Sequence, residues 1–410
     1  MPCAQGSCLL DAPSARLAAV RLLDAVLARR QRADVGLARL PAPTRALAHE
    51  IVYGVLRRYF SLEVDVSRFL REKPEPVVRA LLLAGAYQLR YMRMPAYAVV
   101  HAMVDVCKAV QPRAKGLVNA VLRRVAESEP PARLKPYQRA ELPRWLYAAW
   151  RDQFGAEQVR NCARWLREKP LLSVAVPDGR ENWMRSAERA GFACERGALS
   201  PLAVTLAGGT AVESLPGYTR GEFLVMDQAA QLAVLQLPVR AHDRVLDLCA
   251  APGGKSALLA RLYPQAEVLA VDRDARRLPR LRDNLRRMRA TNVRLVHADA
   301  RALPLPDAAV NTILLDAPCT ASGILRRHPD AKFLHDAGDV RRHAVRQRAM
   351  MQEAWRVLRP GGFVLYAVCS IHRAENEDVI AGQGEVVRMR RLLPARDHDG
   401  FFFALLRKPA

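Results

Sequence analysis

Val245-Leu246-Asp247-Leu248-Cys249-Ala250-Ala251-Pro252-Gly253-Gly254-Lys255-Ser256 is the stretch that decides the fold of this chain. An apolar run carrying one acid meets a small, glycine-paired turn, and Ser256 to Leu262 then follows as a helix-forming run. Strand, tight loop and helix in that order open a βαβ unit, which binds nucleotide-like ligands at the carboxyl edge of its sheet. Gly253 and Gly254 carry no Cβ and let backbone approach a ligand closely. Nineteen residues beyond Gly253 the next apolar run, Val268 to Val271, ends in Asp272, an offset that suits a grip on ribose hydroxyls.

Two phosphate-binding readings fail on this loop. Cys249 stands where a P-loop needs glycine, and the G-x-G-x-x-G spacing of a pyrophosphate site is absent. A glycine turn with no ligand would leave Asp272 unexplained. A nucleoside without phosphates fits better, and S-adenosylmethionine is the obvious candidate.

From residue 243 onward short apolar strands alternate with helical runs. The strands are Val245–Leu248, Val268–Val271, Val293–Val296, Thr312–Leu315 and Phe363–Ala367, and the helices lie near 256–262, 274–289 and 340–358. Val386–Leu393 and Phe401–Leu406 offer two more strands. This alternation predicts a doubly wound, Rossmann-like α/β domain over residues 226–410. Ahead of it, residues 14 to 126 read as helices; Leu17, Val20, Leu23 and Leu27 keep a three-to-four spacing on the first. About five helices, an all-α bundle domain over residues 1–128, are expected. Glu129-Pro-Pro-Ala132 reads as a linker. Residues 141–225 read as a small α+β module: helical runs at 145–154 and 157–166, then short strands between the turns Pro177-Asp-Gly179, Gly208-Gly209 and Pro216-Gly217.

The 410 residues carry a net charge of +23, and half of them are hydrophobic, enough to bury a sizeable core. An excess of basic residues points to a polyanionic partner, with RNA favoured. Only 8 of the 64 basic residues are lysine, which reflects arginine richness but does not account for the excess over acids. No apolar run approaches the roughly 18 residues of a membrane span, and Met1 to Ser7 lacks the features of a secretory leader. The eight scattered cysteines read as reduced thiols of a cytoplasmic protein; Cys3 and Cys8 make a weak metal pair that no second pair completes, so no metal is expected.

The expected carboxyl ends of the strands carry Asp247, Asp272, Asp299, then Asp316-Ala-Pro-Cys319, then Cys369-Ser370 ahead of Glu375-Asn-Glu377. Asp299 suits either a loop cap or a hydrogen bond to an adenine amino group, and the shared edge with Asp272 favours the second. Two thiols at two strand ends suit one reaction above others. Pyrimidine C5 is a poor nucleophile until a thiolate adds at C6; C5 then attacks a sulfonium methyl, and loss of the C5 proton expels the thiolate. An acid near N3 assists by stabilising the protonated ring.

Residue stretches across nearly the whole chain support a family resemblance. His49-Glu-Ile-Val-Tyr-Gly-Val-Leu-Arg57, Leu83-Ala-Gly-Ala-Tyr-Gln-Leu89 and Gly116-Leu-Val-Asn-Ala-Val-Leu-Arg123 resemble the NusB-type RNA-binding helical domain. Asp247 to Lys255, Leu315-Asp-Ala-Pro-Cys-Thr-Ala-Ser-Gly323, Arg326-Arg-His-Pro-Asp330, Leu358 to Ser370 and Asp399-Gly-Phe-Phe402 resemble the RNA cytosine-C5 methyltransferases of the RsmB/NOP (Sun) family, in the branch that carries a NusB-like domain. The resemblance implies Cys369 as nucleophile and Cys319 as the residue of product release. It implies that Cys249, Ala250, Ala251, Pro252, Gly253, Gly254, Lys255, Asp272, Asp299 and Asp316 hold S-adenosylmethionine, with Asp316 also touching the target base. The implied substrate is small-subunit (16S) ribosomal RNA, met by a monomeric enzyme with no DNA partner. Three departures stand out. Val368 replaces the family's Thr before the nucleophile, Met226 replaces a Gln beside Asp227, and Val174-Ala-Val-Pro-Asp-Gly179 replaces a more regular strand.

Rival readings are a transfer-RNA methyltransferase of the same family, a non-catalytic NusB-like RNA-binding or antitermination protein, and a DNA cytosine methyltransferase with Cys319 as nucleophile. The second needs neither the cofactor edge nor the thiols. The third leaves Cys369-Ser370 without a role.

Overall fold

The computed structural model describes residues 12–410, so Cys3 and Cys8 lie outside the described residues. The described residues divide into two compact units, one running up to residue 168 with 325–336, the other residues 169–324 with 337–410.

Among the described residues of the first unit, seven α-helices precede residue 128: α1 (Ala12–Arg29), α2 (Ala33–Ala38), α3 (Ala42–Arg57), α4 (Tyr59–Ser67), α5 (Pro76–Tyr91), α6 (Ala96–Val110) and α7 (Lys115–Glu127). About five were expected; the short α2 and α4 are too brief for periodicity to reveal. One apolar core gathers Leu23, Ile51, Leu56, Leu62, Leu81, Leu83, Met103 and Leu122. After the unstructured Glu129–Ala132 come α8 (Pro136–Arg139) and α9 (Arg144–Leu166). Gly155, at φ 80° and ψ 159°, kinks α9 between the two helical runs legible in the sequence. Sequence reading placed α9 at the head of the small module. It groups instead with the helical unit.

In α2 and α4 arginine occupies the N-cap position, Arg32 and Arg58, and supplies no side-chain cap. Their orphan amide groups are satisfied from far along the chain. Asp330 accepts the Ala33 N–H of α2 at 3.0 Å. The buried Glu141 accepts the Phe60 and Ser61 N–H groups of α4 at 2.8 and 3.2 Å. Asp330 belongs to the segment Leu325–Asp336, which includes α14 (Ala331–Leu334) and is seated in the helical unit. There Arg57 donates to the Arg326 carbonyl at 2.8 Å, buried Lys332 donates to the Glu141 carbonyl at 3.0 Å, and Phe333 stacks on Phe60. The charges of Lys332 and Glu141 attract each other in this interior. Glu141→Ala is therefore expected to destabilise the helical unit by about 3–5 kcal/mol, because it strands a buried cation as well as removing a cap. Thermal unfolding followed by circular dichroism checks this, and a loss below about 1 kcal/mol would refute the buried-pair account.

The second unit begins with a small antiparallel sheet of β1 (Leu172–Ala175), β2 (Cys194–Arg196), β3 (Ala203–Leu206) and β4 (Leu224–Val225) in the order β2-β3-β1-β4. The helix α10 (Arg180–Arg189) lies between β1 and β2 in sequence, and its Trp183 and Ala187 join Val174, Val204, Leu206 and Phe223 in one core. The main sheet follows α11 (Gln228–Val234). It contains β5 (Arg244–Leu248), β6 (Glu267–Asp272), β7 (Val293–His297), β8 (Val310–Asp316), β9 (Leu358–Val368), β10 (Glu385–Leu392) and β11 (Phe401–Arg407), in the order β10-β11-β9-β8-β5-β6-β7. Its helices are α12 (Gly254–Leu262), α13 (Leu278–Arg287), α15 (Ala337–Val357) and the short α16 (Glu377–Ile380).

Strands β7, β6, β5, β8 and β9 run parallel, β11 pairs antiparallel with β9, and β10 pairs antiparallel with β11. Alternate residues face two separate cores. Val245, Leu314, Leu365 and Phe403 pack with α11, α12 and α13, whereas Leu246, Ile313, Val364 and Phe402 pack with α15. Burial on both faces is why these strands read as unbroken apolar runs. The outer strand β10 exposes Arg388 and Arg390 along its open edge, charges that discourage pairing with another chain. Strand order reverses between β5 and β8, and at such a switch point an open α/β sheet opens its crevice at the carboxyl ends. Among the described residues no helix is long and apolar enough to cross a membrane.

Candidate active site

The loop between β5 and α12 is clamped from several sides. Gly253 sits at φ 100°, where a Cβ would lie 2.4 Å from Leu281 Cδ1, so both backbone and packing demand glycine. Ala250 N–H donates to the Val271 carbonyl at 2.9 Å, and Asn284 donates to the Pro252 carbonyl at 2.8 Å. Asp272, buried at the end of β6, accepts the Ala251 N–H at 3.0 Å and the Asp274 N–H at 2.9 Å. Arg277 lies 3.5 Å from the same carboxylate and also donates to the Ala251 carbonyl. A cleft of about 180 Å³ opens here, lined by Cys249, Asp272, Arg273, Ala298, Ala300 and Pro318 among others.

Asp272 and Asp316 both lie within electrostatic reach of Asp247. Asp247 is fully buried and accepts the Ser256 hydroxyl, leaving its Oδ1 without a hydrogen-bond partner. Burial, helped by the charges of Asp316 and Asp272, pushes its pKa up to about 7 despite that hydrogen bond and the nearby Lys255. Lys255 pairs with Asp316 at 2.6 Å. Burial opposes its charge, but Asp316 in contact and Asp247 nearby outweigh that and hold its pKa above the ordinary lysine value. Cys249 lines the cleft, and its pKa is pushed up to about 12 by burial and then by the three carboxylates, so it stays an inert thiol. Asp299 is half-buried beyond β7, where it accepts the Arg301 N–H at 2.9 Å and pairs with the Arg301 guanidinium at 2.6 Å. These bonds hold its carboxyl at about 2. They are the bonds of a loop cap, while Ala298 and Ala300 on either side line the cleft.

At the ends of β8 and β9 the two thiols meet. Cys319 Sγ lies 3.3 Å from Cys369 Sγ, and both are free cysteines. The hydrogen bond to Cys369, then burial, then the charges of Cys369 and Glu375 raise the Cys319 pKa well above that of a free thiol. The two sulfurs are within hydrogen-bond distance of each other, and this surrounding disfavours a thiolate on Cys319. Electrostatic reach from Cys369 to Lys255 joins the thiol pair to the cleft.

Backbone holds the two loops together. Gly323 N–H donates to the Cys369 carbonyl at 2.9 Å and its own carbonyl accepts from Gly400 N–H at 2.8 Å. A Cβ on Gly323 would lie 2.2 Å from the Gly400 carbonyl oxygen, which accounts for the paired glycines at 323 and 400. Val368 is buried, and its side chain joins Val364, Tyr366 and Phe402 in the apolar core, as strand alternation requires. Met226 lies beside Gly254 and is nearly buried. Next to it Asp227 caps α11 through Ala229 N–H at 2.9 Å and accepts Asp399 N–H at 3.1 Å.

The structure thus brings Asp247, Cys249–Lys255, Asp272, Asp316, Cys319 and Cys369 to one edge, with Asp299 turned to its own loop. Sequence reasoning missed Ser256, Arg277, Gln347 and the role of Glu375. Gln347 was detectable as a polar residue on the apolar face of α15.

Known proteins resemble this chain over most of its length. A family model described as 16S rRNA methyltransferase RsmB/F matches residues 234–383, and one described as the NusB family matches residues 13–127. The chain is similar to ribosomal RNA small subunit methyltransferase B of Xanthomonas campestris pv. campestris, 36% identical over 96% of this chain and 97% of that protein. Among solved structures, that of PH0851 matches with a TM-score of 0.78 at 21% identity over 95% of this chain and 98% of its own. NSun6 from Pyrococcus horikoshii, solved with SFG, matches with a TM-score of 0.59 at 20% identity over 65% of this chain and 98% of its own. At such identities the two structures bear on the fold alone.

Proposed function

The chain belongs to the RsmB/F family of 16S rRNA methyltransferases, and from that premise we propose that it methylates C5 of a cytidine in 16S ribosomal RNA through a covalent adduct on Cys369. The observation that carries this reading is the 3.3 Å thiol pair at adjacent strand ends beside the Lys255–Asp316 ion pair. The Cys369 thiolate adds to C6 of the base, forming a C–S bond and making C5 nucleophilic. Asp316, held in place by Lys255, faces the base and supports protonation at N3. Once Cys369 is bonded to carbon it no longer accepts from Cys319. Cys319 then gives its own proton to solvent and, as a thiolate, takes the C5 proton. Removal of that proton restores the C5–C6 double bond and expels the Cys369 thiolate.

The residues of the cleft fit S-adenosylmethionine. Asp272 presents its carboxylate to the cleft, and buried Asp247 keeps an Oδ1 without a hydrogen-bond partner, acceptors suited to a ligand that carries hydroxyl and cationic groups. When bound, the cofactor supplies an electrophilic sulfonium methyl group. Residues 249–255 would hold it through the glycine turn, with Asp272 as the acceptor for its ribose hydroxyls, Asp316 beside them, and Asp299 as the acid for its adenine. Asp272→Ala is expected to weaken S-adenosylmethionine binding by about 1.5–3 kcal/mol, the loss of charge-assisted hydrogen bonds. Isothermal calorimetry on the folded variant checks this; unchanged affinity would remove Asp272 from the site.

The enzyme acts as a cytoplasmic monomer on RNA, with the net charge of +23 supplying phosphate contacts. Bisulfite sequencing of 16S rRNA from a strain lacking the gene tests the substrate. One cytidine that loses protection from conversion is expected. Unchanged 16S protection with a loss in transfer RNA would reassign it.

A further inference from the structure

Glu375 is completely buried, yet nothing in the reaction above uses it. Each of its carboxylate oxygens accepts twice. Oε1 takes the Thr320 N–H at 2.9 Å and the Gln347 amide at 3.3 Å. Oε2 takes the Thr320 hydroxyl and the Ser370 hydroxyl, each at 2.6 Å. Thr320 directly follows Cys319 and Ser370 directly follows Cys369, so one carboxylate ties together the loops that carry both sulfurs. The surrounding groups reinforce the tie. Gln347 also donates to the Pro318 carbonyl at 2.9 Å, on the other side of Cys319. Tyr366 O–H donates to the Glu375 carbonyl at 2.6 Å, which fixes the backbone that presents the acid. Ser322 and Ser370 hydroxyls lie 3.1 Å apart, and Ser322 accepts the Ile371 N–H at 3.1 Å.

Burying a carboxylate costs several kcal/mol of lost hydration unless its oxygens are fully satisfied. Here four donors occupy them, and hydrogen bonds to an ionised acceptor are short and about twice as strong as neutral ones. An amide or hydroxyl in the same place cannot accept from all four. The negative charge has a second consequence. It lies close enough to Cys319 to disfavour a thiolate there, and it adds to the effect of the Cys319–Cys369 hydrogen bond.

We propose that Glu375 is the positioning residue of the thiol pair: it sets the separation of the two sulfurs and places its negative charge beside the Cys319 loop, so that Cys369 is the thiol that attacks. The proposal rests on the covalent mechanism above. It gives the loop acid a role in dividing labour between the cysteines, without contact with either substrate.

The test uses the full-length chain and an RNA substrate in which the target cytidine carries fluorine at C5, so that the final proton loss is blocked and the adduct persists. Adducts are digested and the modified peptide is identified by mass spectrometry. The wild-type protein is expected to carry the adduct on Cys369. Glu375→Gln is expected to lower kcat on ordinary RNA at least about tenfold, leave the KM for S-adenosylmethionine within about twofold of the wild-type value, and divide the adduct between Cys369 and Cys319. Thr320→Val removes one hydroxyl donor and keeps the charge. It is expected to lower kcat while the adduct stays on Cys369, a split that general loosening of the fold would not give. It also keeps the proposal testable should Glu375→Gln not fold. Wild-type kcat in both variants, or an adduct confined to Cys369 in a slowed Glu375→Gln, would overturn the proposal. No adduct on either thiol of the wild-type protein would instead sink the covalent mechanism on which it rests.

Discussion

Cys369→Ala is expected to abolish methyl transfer, with a loss on the order of 10⁴–10⁶ in turnover, as when a covalent catalyst loses its nucleophile. No covalent RNA species should form. S-adenosylmethionine affinity should be unchanged, because the cleft is lined from the ends of β5, β6 and β7 and from Pro318, while Cys369 closes β9. The alanine leaves Cys319 without its sulfur acceptor at 3.3 Å. Cys319 then ionises more readily but lies on the β8 loop rather than at the end of β9, and it should not take over the attack. Denaturing electrophoresis with labelled RNA, together with calorimetry for the cofactor, separates this outcome from misfolding. Residual turnover near that of the wild-type protein would exclude Cys369 as nucleophile.

Cys319→Ala is expected to fail at the other end of the same cycle. Attack and methyl transfer proceed, since Cys369 is intact, but no thiol remains beside C5 to take its proton. A protein–RNA adduct should therefore accumulate to about one per enzyme and survive denaturation, while multiple turnover stops. A merely structural pair of cysteines would give the same phenotype in both variants. If instead the stable adduct forms in Cys369→Ala and not in Cys319→Ala, the roles are reversed and Cys319 is the attacking residue.

Much of this site was legible in the sequence because the parallel strands are buried on both faces. Val245–Leu248 and Val268–Val271 stand out as apolar runs, and in a doubly wound sheet the polar residue that ends each run falls on the ligand edge. That placed Asp272, Asp316 and Cys369. Pairing Cys319 with Cys369 needed more, since fifty residues separate them and only the β8–β9 neighbourhood brings them together. Glu375 was illegible as a positioning residue because an acid in a polar loop reads as solvated; only the structure shows it buried among four donors. The caps of α2 and α4 were hidden for a similar reason. Local capping signals extend over three or four residues, but Asp330 and Glu141 reach their helices from 297 and 81 residues away. The loop around Asp299 teaches the reverse lesson. Its place at a strand end suggested a ligand contact, while the neighbouring Arg301 offers a partner that a residue-by-residue reading did not weigh.

The family's missing threonine also takes on a physical meaning. Val368 points into the core between Val364 and Phe402, so alternation along β9 directs a side chain at this position away from the sulfur that follows it. A hydroxyl there would need a partner within the core.

The central claim, that methyl groups go to C5 of cytosine through attack at C6, is tested most directly with RNA carrying tritium at C5 of its cytidines. The wild-type protein with S-adenosylmethionine should release one tritium to water for every methyl group incorporated, and Cys319→Ala should incorporate methyl groups while releasing almost none. Methyl incorporation by the wild-type protein with the tritium retained would place the methyl group elsewhere on the nucleotide and contradict the account.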